Sequence, residues 1–248
     1  MRPRLTSSLS ALAGLLFLAP AVSAAAPAAP NQLTPAEKTA GWRLLFDGRT
    51  TTGWRGFKKT DFPSERWVVK DGALAHVKSA GADDHGGADI VTTDTFSDFD
   101  LRFDWRISAA GNSGLKYFVT EEREGPIAHE YQVLDDAGHP DGKVGPHRQT
   151  AAFYDVLPPA AGKPTRPVGQ WNESRVLVRG THVEHWLNGS KVLEYKLGSP
   201  EVKAAVANSK FKDVAAFGTK ITGRILLQDH GDEVAFRNIK ILSLPPTP

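Results

Sequence analysis

The sequence predicts an all-β protein folded as a two-sheet sandwich or jelly roll, and three observations carry that reading. Short runs with period-2 alternation of apolar and polar residues recur along the chain. Asn-Gly and Asp-Gly dipeptides separate pairs of such runs, and helix signals are confined to two short segments.

The clearest strand is Phe99 to Ile107, Phe-Asp-Leu-Arg-Phe-Asp-Trp-Arg-Ile, which alternates at every step. Successive strand side chains point to opposite faces, so Trp105 is expected in the core. Asp100, Arg102, Asp104 and Arg106 then form a row read as a solvated outer face. Val183, His185 and Leu187 alternate up to Asn188-Gly189, and Leu193, Tyr195 and Leu197 alternate after it; both turn residues tolerate positive φ, which predicts a hairpin. His185, in phase with Val183 and Leu187, reads as a core histidine. Asp71-Gly72 predicts a second hairpin, and the segments either side of His230-Gly231-Asp232 are read as a similar one. In the last strand the apolar phase slips between Phe236 and Ile239, predicting a bulge at Arg237-Asn238. Thr34-Pro35-Ala36-Glu37 carries an N-cap, a proline at the first helical position and a capping-box glutamate, and Ser199-Pro200-Glu201 opens a helix ending near Asn208. No internal repeat of 20 to 50 residues is evident, which counts against a propeller.

Arg2 and Arg4 precede an apolar run from Ala11 to Leu18, and Val22-Ser23-Ala24 offers small residues for cleavage. Residues 1–24 therefore read as a signal peptide, residues 25–32 as a flexible lead-in and residues 33–245 as one domain. Export to the periplasm or beyond is the expected destination. The chain has no cysteine, which removes a lipobox, disulfides and thiolate metal sites together. Without Arg2 and Arg4 the basic residues fall from 30 to 28, matching the 28 acidic ones. A near-neutral mature chain with no basic patch argues against a nucleic-acid partner, and no later segment is apolar enough for membrane insertion.

Two segments turn polar groups onto one strand face. In Glu130-Tyr131-Gln132-Val133-Leu134-Asp135, Glu130 and Gln132 point one way and Tyr131 and Val133 the other. In Leu226-Leu227-Gln228-Asp229-His230-Gly231, Gln228 and His230 share a face beside Leu226. Acid, amide and imidazole groups gathered on one face point to a binding or catalytic groove, because a core would leave them costly to bury.

Taken in order, several motifs add up to a resemblance. Leu45-Phe46-Asp47-Gly48 with Gly53-Trp54, Gly111-Asn112-Ser113-Gly114-Leu115, the Glu130 segment, Gly169-Gln170-Trp171-Asn172, Glu184-His185-Trp186-Leu187-Asn188-Gly189, the Gln228 segment and Phe236-Arg237-Asn238-Ile239 resemble the 3-keto-disaccharide hydrolase family from Trp42 to Leu242. The resemblance implies a concanavalin A-like lectin/glucanase jelly roll acting on glycosides oxidised at C3 of glucose, as a hydrolase or a 1,2-lyase. A 3-keto-glycoside is then the expected small-molecule partner. The chain departs from the family at Thr150-Ala151-Ala152-Phe153-Tyr154, where relatives often read Thr/Ala-Gly-Ala-hydrophobic-Tyr.

A 3-keto group acidifies the C2 proton, so removing that proton and expelling the C1 substituent is a β-elimination; water can add back to give net hydrolysis. Such a site needs a base near C2, an acid near the glycosidic oxygen and an electrophile at the ketone oxygen. Glu130 and His230 are the candidates for base and acid, in an order the sequence leaves open. Gln132, Gln228, Asn112 and Lys116 are candidate donors to ketone or hydroxyls. Trp171 is a candidate stacking surface and His139, in His139-Pro140-Asp141-Gly142, a candidate groove residue. A divalent metal is an open option, with Glu130, His230, Asp229 and Asp135 as the ligand set, although no compact ligand spacing is present.

Each candidate has a plainer alternative. Glu130 pairing with Arg106 or Lys116 is one; a turn-capping Asp135 is the preferred one, given Asp136 and Gly138 after it. Asn112 and Ser113 are equally well explained by a turn. At the level of the whole protein, a non-catalytic carbohydrate-binding module is the alternative to an enzyme, since the fold hosts both. An ordinary two-carboxylate glucanase ranks lower, because the position two residues after Glu130 is Gln132, which cannot ionise.

Overall fold

A computed structural model describes residues 29–78 and 87–246. The signal-peptide reading of residues 1–24 and the start of the lead-in, residues 25–28, lie outside the described residues. The first strands are β1 Arg43–Leu44, β2 Trp54–Gly56, β3 Trp67–Lys70, β4 Ala73–His76, β5 Ile90–Thr92 and β6 Phe99–Ile107. After them come β7 Asn112–Val119, β8 His129–Leu134, β9 Asn172–Arg179, β10 His182–Leu187, β11 Ser190–Lys196, β12 Arg224–Leu227 and β13 Val234–Ser243.

They pair, all antiparallel, into two sheets. The larger sheet runs β11-β10-β9-β6-β13-β4-β3 with β1 also on β13; the smaller runs β2-β5-β12-β7-β8. Between them Phe99, Leu101, Phe103 and Trp105 of β6 meet Leu115 and Tyr117 of β7 and Tyr131 of β8 in one buried core. This is the concanavalin A-like jelly-roll sandwich.

Both dipeptide hairpins form, with Asp71 and Gly72 at φ 52° and 70° joining β3 to β4, and Asn188 and Gly189 at φ 46° and 83° joining β10 to β11. The bulge in β13 lies between Arg237 and Lys240, with Asn238 at φ 53°. Helix α1, Pro35–Ala40, carries the full capping box, and α2, Pro200–Ala207, is capped by Ser199 and ends at Asn208. His185 is a core residue: Nδ1 donates to the Ala151 carbonyl and Nε2 accepts from Tyr117, 3.0 Å each, and burial lowers its pKa to about 4.

Three expectations need correction. The segments flanking His230-Gly231-Asp232 are not a hairpin, because β12 pairs with β5 and β7 in one sheet while β13 pairs with β4 and β6 in the other. The turn between them therefore crosses from sheet to sheet. The charged row of β6 is only half solvated: Asp100 and Asp104 are buried, Asp100 under the Arg175 fork at 2.7 and 2.9 Å and Asp104 under Arg237 and Asn238 at 3.2 and 2.6 Å. The lead-in is pinned at Asn31, which exchanges hydrogen bonds with Asn238 at 2.6 and 2.8 Å and donates to the Gly72 carbonyl at 2.7 Å.

Candidate active site

The outer face of β7, β8 and β12 forms the floor of a cavity of about 360 Å³, within the usual range of small-molecule sites. Register decides which groups meet. Lys116 of β7 lies opposite Glu130 on one side and Leu226 on the other, and Gly114 opposite Gln132. One step along, the Gln228 backbone N–H donates to the Gly114 carbonyl at 2.9 Å. Period-2 alternation then places Asn112, Lys116, Glu130, Gln132, Gln228 and His230 on the same cavity.

Glycine at 114 leaves room for the Glu130 side chain rather than for a backbone neighbour. A Cβ there would sit 2.2 Å from Glu130 Oε1. The glutamate thus lies across the strand, 5% exposed, with Oε2 3.7 Å from the Lys116 ammonium. The Gln132 amide, in the orientation its neighbours satisfy, donates to Glu130 Oε1 at 3.0 Å and to the Ser113 carbonyl at 2.9 Å. Burial raises the Glu130 pKa above the ordinary glutamate value, against the pull of Lys116 and Lys210. Gln228 Oε1 is buried and has no hydrogen-bond partner among the described residues, leaving an acceptor at the cavity for a ligand hydroxyl.

His230 closes the other end. Asn112 Nδ2 donates to its Nε2 at 3.4 Å, and the Asn112 backbone amide donates to Asp232 at 3.0 Å. Burial, and then the neighbouring His139 ring, lower the His230 pKa; Asp232 and Asp141 oppose the shift. The imidazole is accordingly neutral at pH 7.

A wall over the floor comes from loops that alternation could not place. Tyr154 donates to Asp141 at 2.5 Å, and Arg148 bridges Asp141 at 2.9 Å and Asp155 at 2.5 Å. Asp155 in turn accepts from the Lys210 backbone amide at 2.7 Å, which sets the Lys210 ammonium 4.2 Å from the centre of the Tyr154 ring. Desolvation lowers the Lys210 pKa and Glu130 partly restores it, although much of the side chain is exposed. Of these residues only Tyr154 had a sequence signal, closing the Thr150 to Tyr154 motif.

A family model described as "3-keto-alpha-glucoside-1,2-lyase-like domain" matches residues 41–242. The chain belongs to this family. A 3-keto-disaccharide hydrolase of Bacteroides thetaiotaomicron is 38% identical over 227 residues, covering 81% of this chain and 78% of the relative. A Parabacteroides distasonis crystal structure, assigned as a proposed glycosyl hydrolase, superposes with a TM-score of 0.78 at 35% identity, over 88% of this chain and all of that one. A second such structure from the same organism gives 0.64 at 28% identity, over 82% and 99%. As a member of the 3-keto-alpha-glucoside-1,2-lyase-like family, the protein is a carbohydrate-active enzyme.

On this 3-keto-alpha-glucoside-1,2-lyase-like scaffold two sequence expectations change. Trp171 lies outside the cavity: it precedes β9 in the opposite sheet, where the guanidinium groups of Arg237 and Arg106 stand 4.1 and 4.9 Å from its ring. Cations, not a sugar, occupy it. The ligand set for a metal also differs. Asp229 points inward, paired with His76 at 2.8 Å and Arg66 at 3.2 Å, and Asp135 caps turns by accepting from Ala110 at 2.8 Å and Gly138 at 3.0 Å. The group that could hold a cation is His139, His230 and Asp232, whose ligand atoms lie within 4.8 Å of one another. The Asp141 amide already donates to His139 Nδ1 at 3.1 Å, so ligation through Nε2 would have to displace that bond. His139 is not among the residues lining the cavity; it meets His230 edge-on with ring centres 5.8 Å apart.

Proposed function

We propose that this enzyme cleaves the glycosidic bond of 3-keto-glucosides by elimination across C1 and C2, with water addition giving net hydrolysis. One observation carries the reading: Glu130 is the sole carboxylate among the described residues lining the cavity, facing a neutral imidazole across a floor of amides and an ammonium. Direct glycoside hydrolysis uses two carboxyl groups, about 5–5.5 Å apart for retention and about 6.5–9.5 Å for inversion. A substrate already activated by a ketone needs one acid, one base and donors to the ketone oxygen.

The environments of the two titratable groups divide the roles. Burial keeps Glu130 protonated above the ordinary glutamate range, while burial and His139 keep His230 neutral. His230 Nε2 removes the C2 proton, and the electron pair moves into a C2–C3 enolate stabilised by the Lys116 ammonium and the amides of Asn112 and Gln228. The enolate collapses to a C1–C2 double bond, the C1–O bond breaks, and Glu130 gives its proton to the departing aglycone oxygen. The products are the free aglycone alcohol and a 1,2-unsaturated 3-ketone. A cation held by His139, His230 and Asp232 would take the one lone pair of the neutral His230 ring, so it stands as an alternative to His230 acting as the base. Arg2, Arg4, the apolar run from Ala11 to Leu18 and the small residues Val22-Ser23-Ala24 support export of the enzyme.

The test is product formation from a 3-keto-glucoside and from its unoxidised parent. Turnover of the keto-sugar alone is expected. Equal cleavage of the parent would make the protein a conventional glycosidase, and binding with no turnover of either would make it a carbohydrate-binding module.

A further inference from the structure

The cavity is polar along one half of its length and apolar along the other, and the boundary falls at Glu130. From His230 and Asn112 the floor runs through Gln132 and Gln228 to the Lys116–Glu130 pair. Beyond that pair the strand floor turns apolar, with Tyr154 and Lys210 as the polar side chains beside it. Ala128 shares the outward face with Glu130 two residues on and joins Leu226 and Val119 in a small buried apolar cluster. Pro126 and Ile127 continue the wall, and Phe211 and Val214 stand in the loop after α2. Ile127 and Val214 rest partly buried against the main core.

The backbone at this end is already engaged. The Pro126 carbonyl accepts from Lys116 Nζ at 3.2 Å and the Ile127 carbonyl from Arg123 Nη1 at 2.7 Å. A second Arg123 nitrogen reaches the Ala215 carbonyl at 3.4 Å, tying the two loops of the wall together. A sugar ring placed here would bring hydroxyls to a surface where Lys210 is the one charged side chain among the described lining residues and Arg123 is already bonded to the wall, and unmatched hydroxyls are costly to desolvate. An alkyl or aryl group would replace water at Ile127, Val214 and the Phe211 edge with no such cost.

Resting on the reading that Glu130 protonates the leaving oxygen, we infer that the wall of Pro126, Ile127, Ala128, Phe211 and Val214 is the aglycone subsite, built for apolar aglycones rather than a second sugar. The acid must stand beside the bond being broken, so the aglycone extends from Glu130 towards this wall while the oxidised glucose unit occupies the polar half.

The experiment compares kcat/KM for hexyl and glucosyl 3-keto-glucosides of the same anomeric configuration, on wild type, Ile127→Asn and Val214→Thr. A hexyl alcohol is a poorer leaving group than a sugar hydroxyl, so leaving-group ability cannot produce a preference for it. Wild type is expected to favour the hexyl substrate by about tenfold or more, the scale of discrimination an apolar pocket gives. Both variants should move the ratio towards one, and the near-isosteric Val214→Thr gives the answer if Ile127→Asn does not fold. A wild-type ratio at or below one, with both substrates turned over, overturns the inference and leaves the proposed reaction standing. Turnover of neither overturns the proposed reaction itself, and the inference with it.

Discussion

Glu130→Gln removes one proton-donating group and little else, because the amide keeps the shape of the carboxyl in a site where Gly114 leaves no slack. A general acid contributes about 10²- to 10⁴-fold to rate, or about 2.7–5.4 kcal/mol at 1.36 kcal/mol per tenfold. The glutamate is desolvated, 3.7 Å from Lys116 and bonded by Gln132, so it is held for one geometry and the upper part of that range is expected. The loss should depend on the leaving group. For an alkyl 3-keto-glucoside, kcat/KM should fall about 10³- to 10⁴-fold. For the 4-nitrophenyl analogue, whose phenolate departs without a proton, the fall should stay within about tenfold. Steady-state rates on the two substrates, with unfolding temperatures to confirm the variant is folded, decide the matter. An equal fall on both would refute the assignment, since a C2 base is needed whatever leaves.

Three further outcomes follow from the same geometry. The pH profile of kcat/KM should be bell-shaped: His230, its pKa lowered, stays an effective base to below pH 6.5, and Glu130, its pKa raised, loses its acid form only above its ordinary value of 4.5. An acid limb centred above pH 6.5 would exclude His230 as the base. Gly114→Ala puts a Cβ 2.2 Å from Glu130 Oε1, so the unfolding free energy should drop by about 1–3 kcal/mol and kcat/KM by about 100-fold, read by calorimetry and kinetics. Ala151→Gly relaxes an alanine at φ 66°; the strain of about 1–2 kcal/mol exceeds the glycine entropy cost of about 0.5–1 kcal/mol, so the melting temperature should hold or rise by up to a few degrees.

Strand alternation made half of the site legible. Glu130, Gln132, Gln228 and His230 fell together on one cavity because a period of two leaves no freedom about which side chains go together. The turns at Asp71-Gly72 and Asn188-Gly189 were equally plain, since few residue pairs accept positive φ twice in succession. Alternation says nothing about which sheet a strand joins, and so β12 and β13 looked like neighbours. Tyr154, Asp141, Arg148 and Lys210 come from loops whose placement depends on a chain of long-range bonds with no local pattern. Trp171 looked like a sugar platform because the sequence could not show Arg106 and Arg237 meeting it from other strands.

The turn from β12 to β13 bridges the two layers, and it is fastened from inside. His76 on β4 contacts the Asp229 carboxylate and, at 2.8 Å, the Asp232 carbonyl, while the Gly231 amide folds back onto Asp229 at 2.8 Å. His230 is therefore mounted like a keystone between layers that could otherwise slide over one another. A shear of the sandwich would act on the imidazole through this turn. Drift in residues remote from the cavity should thus register as altered turnover.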